Sequence, residues 1–373
     1  MSLNHRSNHQ YYRPQTTSVS TSRNRPESTK LSIFHMFLYF FIGFFFMYVG
    51  LIYFIGLNTT EEKSDAIALD ATPNPVTNQE SETKNSIMTF FQGTQNTNTL
   101  GVNTKQDEEL LKLIEEKIPK DNGEYAVVVK ELGKSDNRQV FINHQKTLPA
   151  GSLYKLYVMA AALEKIEKGD MTMQTVVTAQ ADHLEQVLGA PDFGYEDRKG
   201  ETISYTVEEI LARIARISDN YASIMLAEKL NNWEDVRDYA RRFGAPSTSI
   251  KSPISTNAQD IAYFFDQLYQ RKVVSEVASN KLIDLLATAQ LNQRIPAKLP
   301  KSGLKIAHKT GELPRVRNDA GIVFFENEDD EATKSATPQK AYLIVLMSNE
   351  LKGEDSGVTA LAEISKVVYD YFK

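Results

Sequence analysis

Two residues near the middle of the chain have the types and spacing to do acyl chemistry. The stretch "PAGSLYKLYVMAAAL" (149–163) sets Ser152 at the mouth of an apolar helical run and Lys155 three residues on, on the same helical face. Leu153, Leu156, Val158, Met159 and Ala160 to Leu163 leave that helix almost no polar side, so it reads as buried, and a buried ammonium is costly. Desolvation disfavours the charged form and lowers a lysine pKa. A lysine that gives up its proton readily can accept one from a serine hydroxyl, which is otherwise a poor nucleophile. Ser152 is therefore the candidate nucleophile and Lys155 its base; the alternative is a lysine that snorkels its head to water.

The spacing alone does not single these two out. Ser-x-x-Lys also occurs at Ser81/Lys84 and Ser302/Lys305, Ser-Asp-Asn occurs at 135–137 and 218–220, and Lys-Ser/Thr-Gly at 301–303 and 309–311. Context separates them. Ser81/Lys84 lies in polar, low-complexity sequence, Ser302/Lys305 straddles a turn and a strand, and Ser135-Asp136-Asn137 makes a hairpin turn ahead of Ser152. Ser218-Asp219-Asn220 connects two apolar helices and can point into a cleft, although its composition equally suits a helix N-cap. Lys301-Ser302-Gly303 follows a proline and reads as a turn, whereas Lys309-Thr310-Gly311 closes the strand "LKIAH". One ordered set remains: Ser152/Lys155, Ser218–Asn220 and Lys309–Gly311.

The elements that must position this set can be read from periodicity. "DEELLKLIEEKI" is an amphipathic helix stopped by Pro119, and "YAVVVKEL" and "RQVFIN" are strands. The apolar helix 152–168 ends at Gly169, and "TVEEILARIARI" (206–217) opens with a capping box of Thr206 and Glu209. "YASIMLAEKL", "AQDIAYFFDQLYQ" and "SNKLIDLLATA" continue the helices. "LKIAHKTG", "DAGIVFF" and "KAYLIVLMSN" are three antiparallel strands, and a last helix covers 357–372. This order predicts an α+β domain whose two ends meet on one sheet.

"PAGSLYK", "ISDN" and "AHKTG", in that order, resemble the class A β-lactamases and the wider penicillin-binding, active-site-serine superfamily, and "RNDAGIVFF" resembles the strand that follows the third motif there. The resemblance covers roughly residues 107–373 and implies a β-lactamase/transpeptidase-like fold, an antiparallel sheet flanked by helices plus an all-α subdomain. It implies that Ser152 forms an acyl-enzyme with a β-lactam or D-alanyl peptide and that Ser218 relays a proton to the leaving nitrogen. Asn220 would hold the substrate amide. Lys309 and Thr310 would bind the substrate carboxylate, with Gly311 beside them and Arg317, or else Arg315, as a second cation. The backbone N–H groups of Ser152 and Glu312 would form the oxyanion hole. His308 is expected to be a packed strand residue. No cofactor or metal is implied.

One departure bears on turnover. The resemblance implies a glutamate, on a loop between the second and third motifs, that activates water to free the acyl-enzyme. Here that stretch is "RRFGAPSTSIKSPISTNAQDI", with no Asp or Glu between Asp238 and Asp260, and it is short. Acylation is expected and deacylation should be slow. Glu312 could stand in as the base or could simply be a solvent-facing strand residue. A peptidoglycan carboxypeptidase or endopeptidase, or a scaffold that kept the fold without turnover, are the rival readings.

Other chemistries lack their residues. The chain has 373 residues and no cysteine, which excludes disulfides and thiolate chemistry. A net charge of −6 gives no basic footprint for nucleic acid. Ala150 spoils a Gly-x-Ser-x-Gly elbow at Ser152, "GEDSG" (353–357) lacks that frame, and His144, His183 and His308 are too scattered for a zinc site.

Ahead of the domain, Leu31–Thr60 contains no Asp, Glu, Lys or Arg, long enough to cross a hydrocarbon core of about 30 Å. Arg6, Arg13, Arg23, Arg25 and Lys30 precede it and Glu61, Glu62, Asp65 and Asp70 follow it, so the positive-inside rule puts the N-terminus in the cytoplasm. "AIA" at 66–68 allows a cleaved signal peptide as a second reading. The expected organisation is a disordered cytoplasmic tail (1–30), a single transmembrane helix (31–56), a flexible stalk (57–106) and an extracytoplasmic domain (107–373).

Overall fold

The computed structural model describes residues 106–134, 137–192, 194–326 and 340–373. The tail, the apolar segment 31–56, the stalk up to 105, and Ser135 and Asp136 lie outside the described residues. Among the described residues no helix is long and apolar enough to cross a membrane.

The centre is a five-stranded antiparallel sheet in the order β2-β1-β9-β8-β7, with β1 at Glu124–Leu132, β2 at Gln139–Ile142, β7 at Leu304–Leu313, β8 at Val316–Phe325 and β9 at Ala341–Asn349. The central strands β1 and β9 carry long apolar runs because both faces are covered. Val127, Val129, Ile344 and Leu346 face one way, onto helix α1 (Glu108–Glu115) and the C-terminal helix α9 (Glu354–Phe372). Ala126, Val128, Leu343, Val345 and Met347 face the other way, into the larger core. The two ends of the domain therefore share one sheet face, as the α+β reading expects.

The larger core is built around α2 (Lys155–Glu167), every residue of which from Lys155 to Leu163 is buried. Around α2 lie α4 (Val207–Ile217), α5 (Asn220–Lys229), α6 (Glu234–Phe243), α7 (Ala258–Tyr269) and α8 (Glu276–Leu286). The capping box is present at α4: Glu209 N–H donates to Thr206 Oγ1 and Thr206 N–H to the Glu209 carboxylate. The periodicity did not reveal a small hairpin, β4 (Val176–Gln180) with β5 (Thr202–Thr206), or α3 (Ala181–Leu188) between them. α6 was also missed; it is so charged that only Val236, Tyr239 and Ala240 are buried, with Phe243 packed at its end.

One correction concerns the nucleophile. Ser152 is not in the α-helix; Gly151–Tyr154 form a 3-10 turn, and α2 starts at Lys155. The turn is pressed against β7, the edge strand. Gly151 has φ +52°, and a Cβ there would lie 2.7 Å from the Glu312 nitrogen. Conversely, a Cβ at Gly311 would lie 2.6 Å from the Ala150 oxygen. Asn318 on β8 clasps the segment from the other side: its Nδ2 donates to the carbonyls of Pro149 (3.0 Å) and Ala150 (3.2 Å), and its Oδ1 accepts from Ser348 N–H. The two strands β3 (Leu148–Pro149) and β6 (Ser255–Thr256) pair just ahead of the turn.

Gly169 also has a left-handed φ, +79°, but nothing lies within 4 Å of its missing Cβ. Gly169→Ala should therefore cost only the conformational term of about 1–2 kcal/mol. Gly151→Ala adds a backbone collision and should cost about 1 kcal/mol or more beyond that. Denaturant midpoints of the two variants measure the difference.

Candidate active site

The three sequence motifs meet at one pocket. Lys155, fully buried, donates to the backbone carbonyl of Ser218 (2.6 Å) and to Asn220 Oδ1 (2.7 Å), with the Asp219 carbonyl at 3.4 Å. Lys309, also buried, donates to Ser218 Oγ (2.7 Å) and to the carbonyl of Thr310 (2.8 Å). Ser218 thus sits between two lysines, its main-chain oxygen on one and its hydroxyl on the other. A left-handed backbone (φ +59°, ψ 33°) lets it do both. Asp219 caps α5 by accepting Ala222 N–H, and its other oxygen takes Arg213 Nε at 2.6 Å and the Tyr195 hydroxyl at 2.8 Å. The capping and pocket roles of this motif coexist.

Burial governs the electrostatics. Desolvation lowers the Lys155 pKa to about 8, against the pull of the Asp192 and Asp219 charges, which raise it. Desolvation also drives Lys309 well below the ordinary lysine value, and the Lys155 charge pushes the same way. Both groups are thus disposed to lose a proton, and neither snorkels to water. Ser152, half-buried, carries no hydrogen bond on its hydroxyl among the described residues; the Lys155 amine, one turn along, is bonded to Ser218 and Asn220 and not to Ser152.

The oxyanion expectation has a geometric basis. Arg317 turns both main-chain groups to Ser348, its N–H donating to Oγ at 3.0 Å and its carbonyl accepting at 2.6 Å. Glu312 faces Arg317 across the β7–β8 ladder, so its own N–H is directed away from β8, toward the serine turn. The closeness of Gly151 and Gly311 brings the Ser152 and Glu312 amides to the same edge.

The second cation is placed differently from the sequence expectation. The Arg317 guanidinium is held by the carbonyls of Leu313 and Val316 and by Glu354, and Arg315 is held by Leu351, Glu350 and Glu354. Arg294 is the arginine whose charge acts on Lys309. Its side chain is 2% exposed, it pairs with Glu312, and its Nε and Nη1 have no partner. A buried guanidinium with spare donors beside a buried ammonium is an anion-binding corner. His308 is a packed strand residue; it bridges Asp319 and Asn292, while Asp319 accepts the Ile295 N–H, so the pair fixes the segment carrying Arg294. Nothing in "LNQRIPAK" distinguishes Arg294 from a surface arginine.

Glu312 and Asp260, two carboxylates near the site, are committed. Burial alone would raise the Glu312 pKa, but the Arg294 hydrogen bond and charge outweigh it and hold it low. Asp260, pushed up to about 6 by burial, accepts Ser247 N–H and the Thr248 hydroxyl and so fastens the short loop before α7. Asp192, unseen in the sequence, accepts both Asn220 N–H and Nδ2 at 2.8 Å. Among the described residues no group of His, Cys, Asp or Glu could hold a metal ion.

If Lys155 is the base, the rate at which a reactive acyl compound modifies Ser152 should rise with pH to a half-maximum near 8. Lys155→Met should remove that limb and slow modification by roughly 10²–10⁴-fold. Between about 8 and 10.5 the unfolded chain keeps a proton that the native pocket releases, so this group makes the fold more stable as pH rises through that window.

Comparison with known proteins agrees with the geometry. The family model described as the β-lactamase enzyme family matches residues 107–372. A β-lactamase of Bacteroides uniformis is 22% identical over 277 residues, covering 67% of this chain and 87% of that protein. The extended-spectrum β-lactamase PER-1 of Pseudomonas aeruginosa is 24% identical over 212 residues, covering 51% and 68%. Among solved structures, PBP-A superposes with a TM-score of 0.61 at 22% identity, covering 74% of this chain and 99% of PBP-A. A PBP-A variant solved as an acyl-enzyme complex with penicillin G gives 0.62 at 23%, covering 73% and 99%. With a family match over most of its length and the serine–lysine pocket assembled, the chain belongs to the β-lactamase enzyme family of serine hydrolases.

Proposed function

We propose that Ser152 attacks the carbonyl of a β-lactam or a related D-alanyl peptide and is acylated by it. The observation that carries this reading is the buried Lys155–Ser218–Lys309 arrangement. Lys155 accepts the Ser152 proton as the serine oxygen bonds to the carbonyl carbon. The Ser152 and Glu312 amides hold the oxyanion. As the carbon–nitrogen bond breaks, Ser218 gives its hydroxyl proton to the leaving nitrogen and takes one back from Lys309, which donates to its oxygen. Lys155 holds the proton from Ser152, so the two lysines together gain that one and lose the one now on nitrogen. Thr310, Gly311, Lys309 and Arg294 form the side of the cleft suited to the substrate carboxylate, and Asn220 the side suited to its amide. The penicillin G acyl-enzyme of the PBP-A variant supports the substrate class.

Deacylation is the slow step in this reading. The loop from Gly244 to Asn257 carries no acidic residue, and Asp260 and Glu312 each have other partners. A long-lived acyl-enzyme suits a penicillin-binding protein whose own substrate is a cell-wall peptide better than it suits an efficient β-lactamase. The charge asymmetry around residues 31–56 supports a single-pass anchor with the domain displayed outside the membrane.

Incubation of the detergent-solubilised full-length protein with a fluorescent penicillin, followed by a cold chase, tests the proposal. Label should appear on the native protein, be absent from Ser152→Ala, and persist through the chase; failure to label would overturn the acylation reading. Glu312→Gln should leave the decay of the label unchanged within about twofold, because that carboxylate is bound to Arg294. A marked slowing would instead assign Glu312 the deacylation base.

A further inference from the structure

Asp192 has no part in the acylation steps, yet the structure holds it against the pocket with care. It lies in the connection 189–201 between α3 and β5. Its two oxygens accept separately from Asn220, Oδ2 from the main-chain N–H and Oδ1 from Nδ2, both at 2.8 Å. Asn220 Oδ1 at the same time accepts from Lys155, so one amide side chain links the catalytic lysine to this carboxylate. The connection is fixed by Tyr195, three residues on, whose ring is buried and whose hydroxyl joins Asp219 and Arg213. Asp192 therefore does not sit on a loose loop tip.

Its charge acts on Lys155 beyond Asn220 but has no ion-pair partner of its own among the described residues. Asp219, the other carboxylate of this motif, has Arg213 at 2.6 Å. Asp192 forms no ion pair with a lysine, arginine or histidine among the described residues, and it is half-exposed. A carboxylate offers about four lone-pair positions. Asn220 takes two, which leaves acceptor capacity on a carboxylate that is partly exposed. Lys309 and Arg294 gather positive charge on the leaving-group side, and Asp192 reaches the pocket through Asn220, on the acyl side.

We propose that Asp192 is a specificity-determining residue that recognises a substrate ammonium group on the acyl side of the scissile bond. The class of substrate is an acyl donor with a free amine next to the amide that Asn220 holds: an amino-acyl β-lactam, or a peptide with a free amine at that position. The inference rests on the acylation reading above. The gain is modest, because the pair remains partly solvated: about three- to tenfold in acylation rate.

Penicillin G and ampicillin differ only by an α-amine on the acyl side, so their ratio of second-order acylation constants isolates the effect. The measurement uses the full-length protein in competition with a fluorescent penicillin. The ampicillin-to-penicillin G ratio should be about three- to tenfold higher for the native protein than for Asp192→Asn, and Asp192→Glu should recover at least part of it. The native excess should fade as pH rises through the range of an α-amine, about 7.7–8.0, while the Lys155 limb cancels in the ratio. An unchanged ratio in Asp192→Asn, even with both rates reduced, would overturn the proposal and leave Asp192 as a positioning residue for Asn220. Absence of Ser152 labelling by either penicillin would instead bring down the acylation reading itself.

Discussion

Two primary amines share one water-poor pocket, and most of the domain exists to keep them there. An ammonium removed from water needs acceptors in place of its hydration shell, or it loses its proton. Lys155 and Lys309 find those acceptors in a single connector, Ser218 to Asn220, and in the Thr310 carbonyl. Desolvation lowers both pKa values in spite of these acceptors, and the Lys155 charge pushes Lys309 down further. The result is an amine that can give up its proton at moderate pH. It depends on α2 being covered on all sides, on the left-handed turn at Ser218, and on the anchoring of Asp219 by Arg213 and Tyr195.

A second constraint sets where the nucleophile stands. The serine turn must lie close enough to β7 for two backbone amides to face one oxygen atom, and side chains at the contact would prevent that. Glycines at 151 and 311 permit the approach, and Asn318 holds the turn in place from the neighbouring strand. Rigid strands and a buried helix thus carry the reacting groups, which preorganises the donors before substrate arrives. Membership of the β-lactamase family is compatible with a different kinetic balance from its hydrolytic members.

The chemistry of the chain was legible without coordinates because it is encoded locally. Ser152 and Lys155, Ser218 to Asn220, and Lys309 to Gly311 are each contiguous or within one helical turn, and their order along the chain is enough to recognise them. The sheet and its covering helices were legible too, since apolar periodicity of two or about 3.6 residues reflects burial directly. Segments with weak apolar patterns were not: α6, α3 and the β4–β5 hairpin bury only a few side chains each. What only the tertiary structure decided were the pairings of charge across long sequence distances. Arg294 instead of Arg317 as the arginine whose charge acts on Lys309, Glu312 bound to Arg294, and Asp192 placed on Asn220 all depend on how distant loops meet the pocket. A charged side chain in a polar stretch looks the same in sequence whether it ends in solvent or in a buried site, because its partner is chosen by packing and not by its neighbours along the chain.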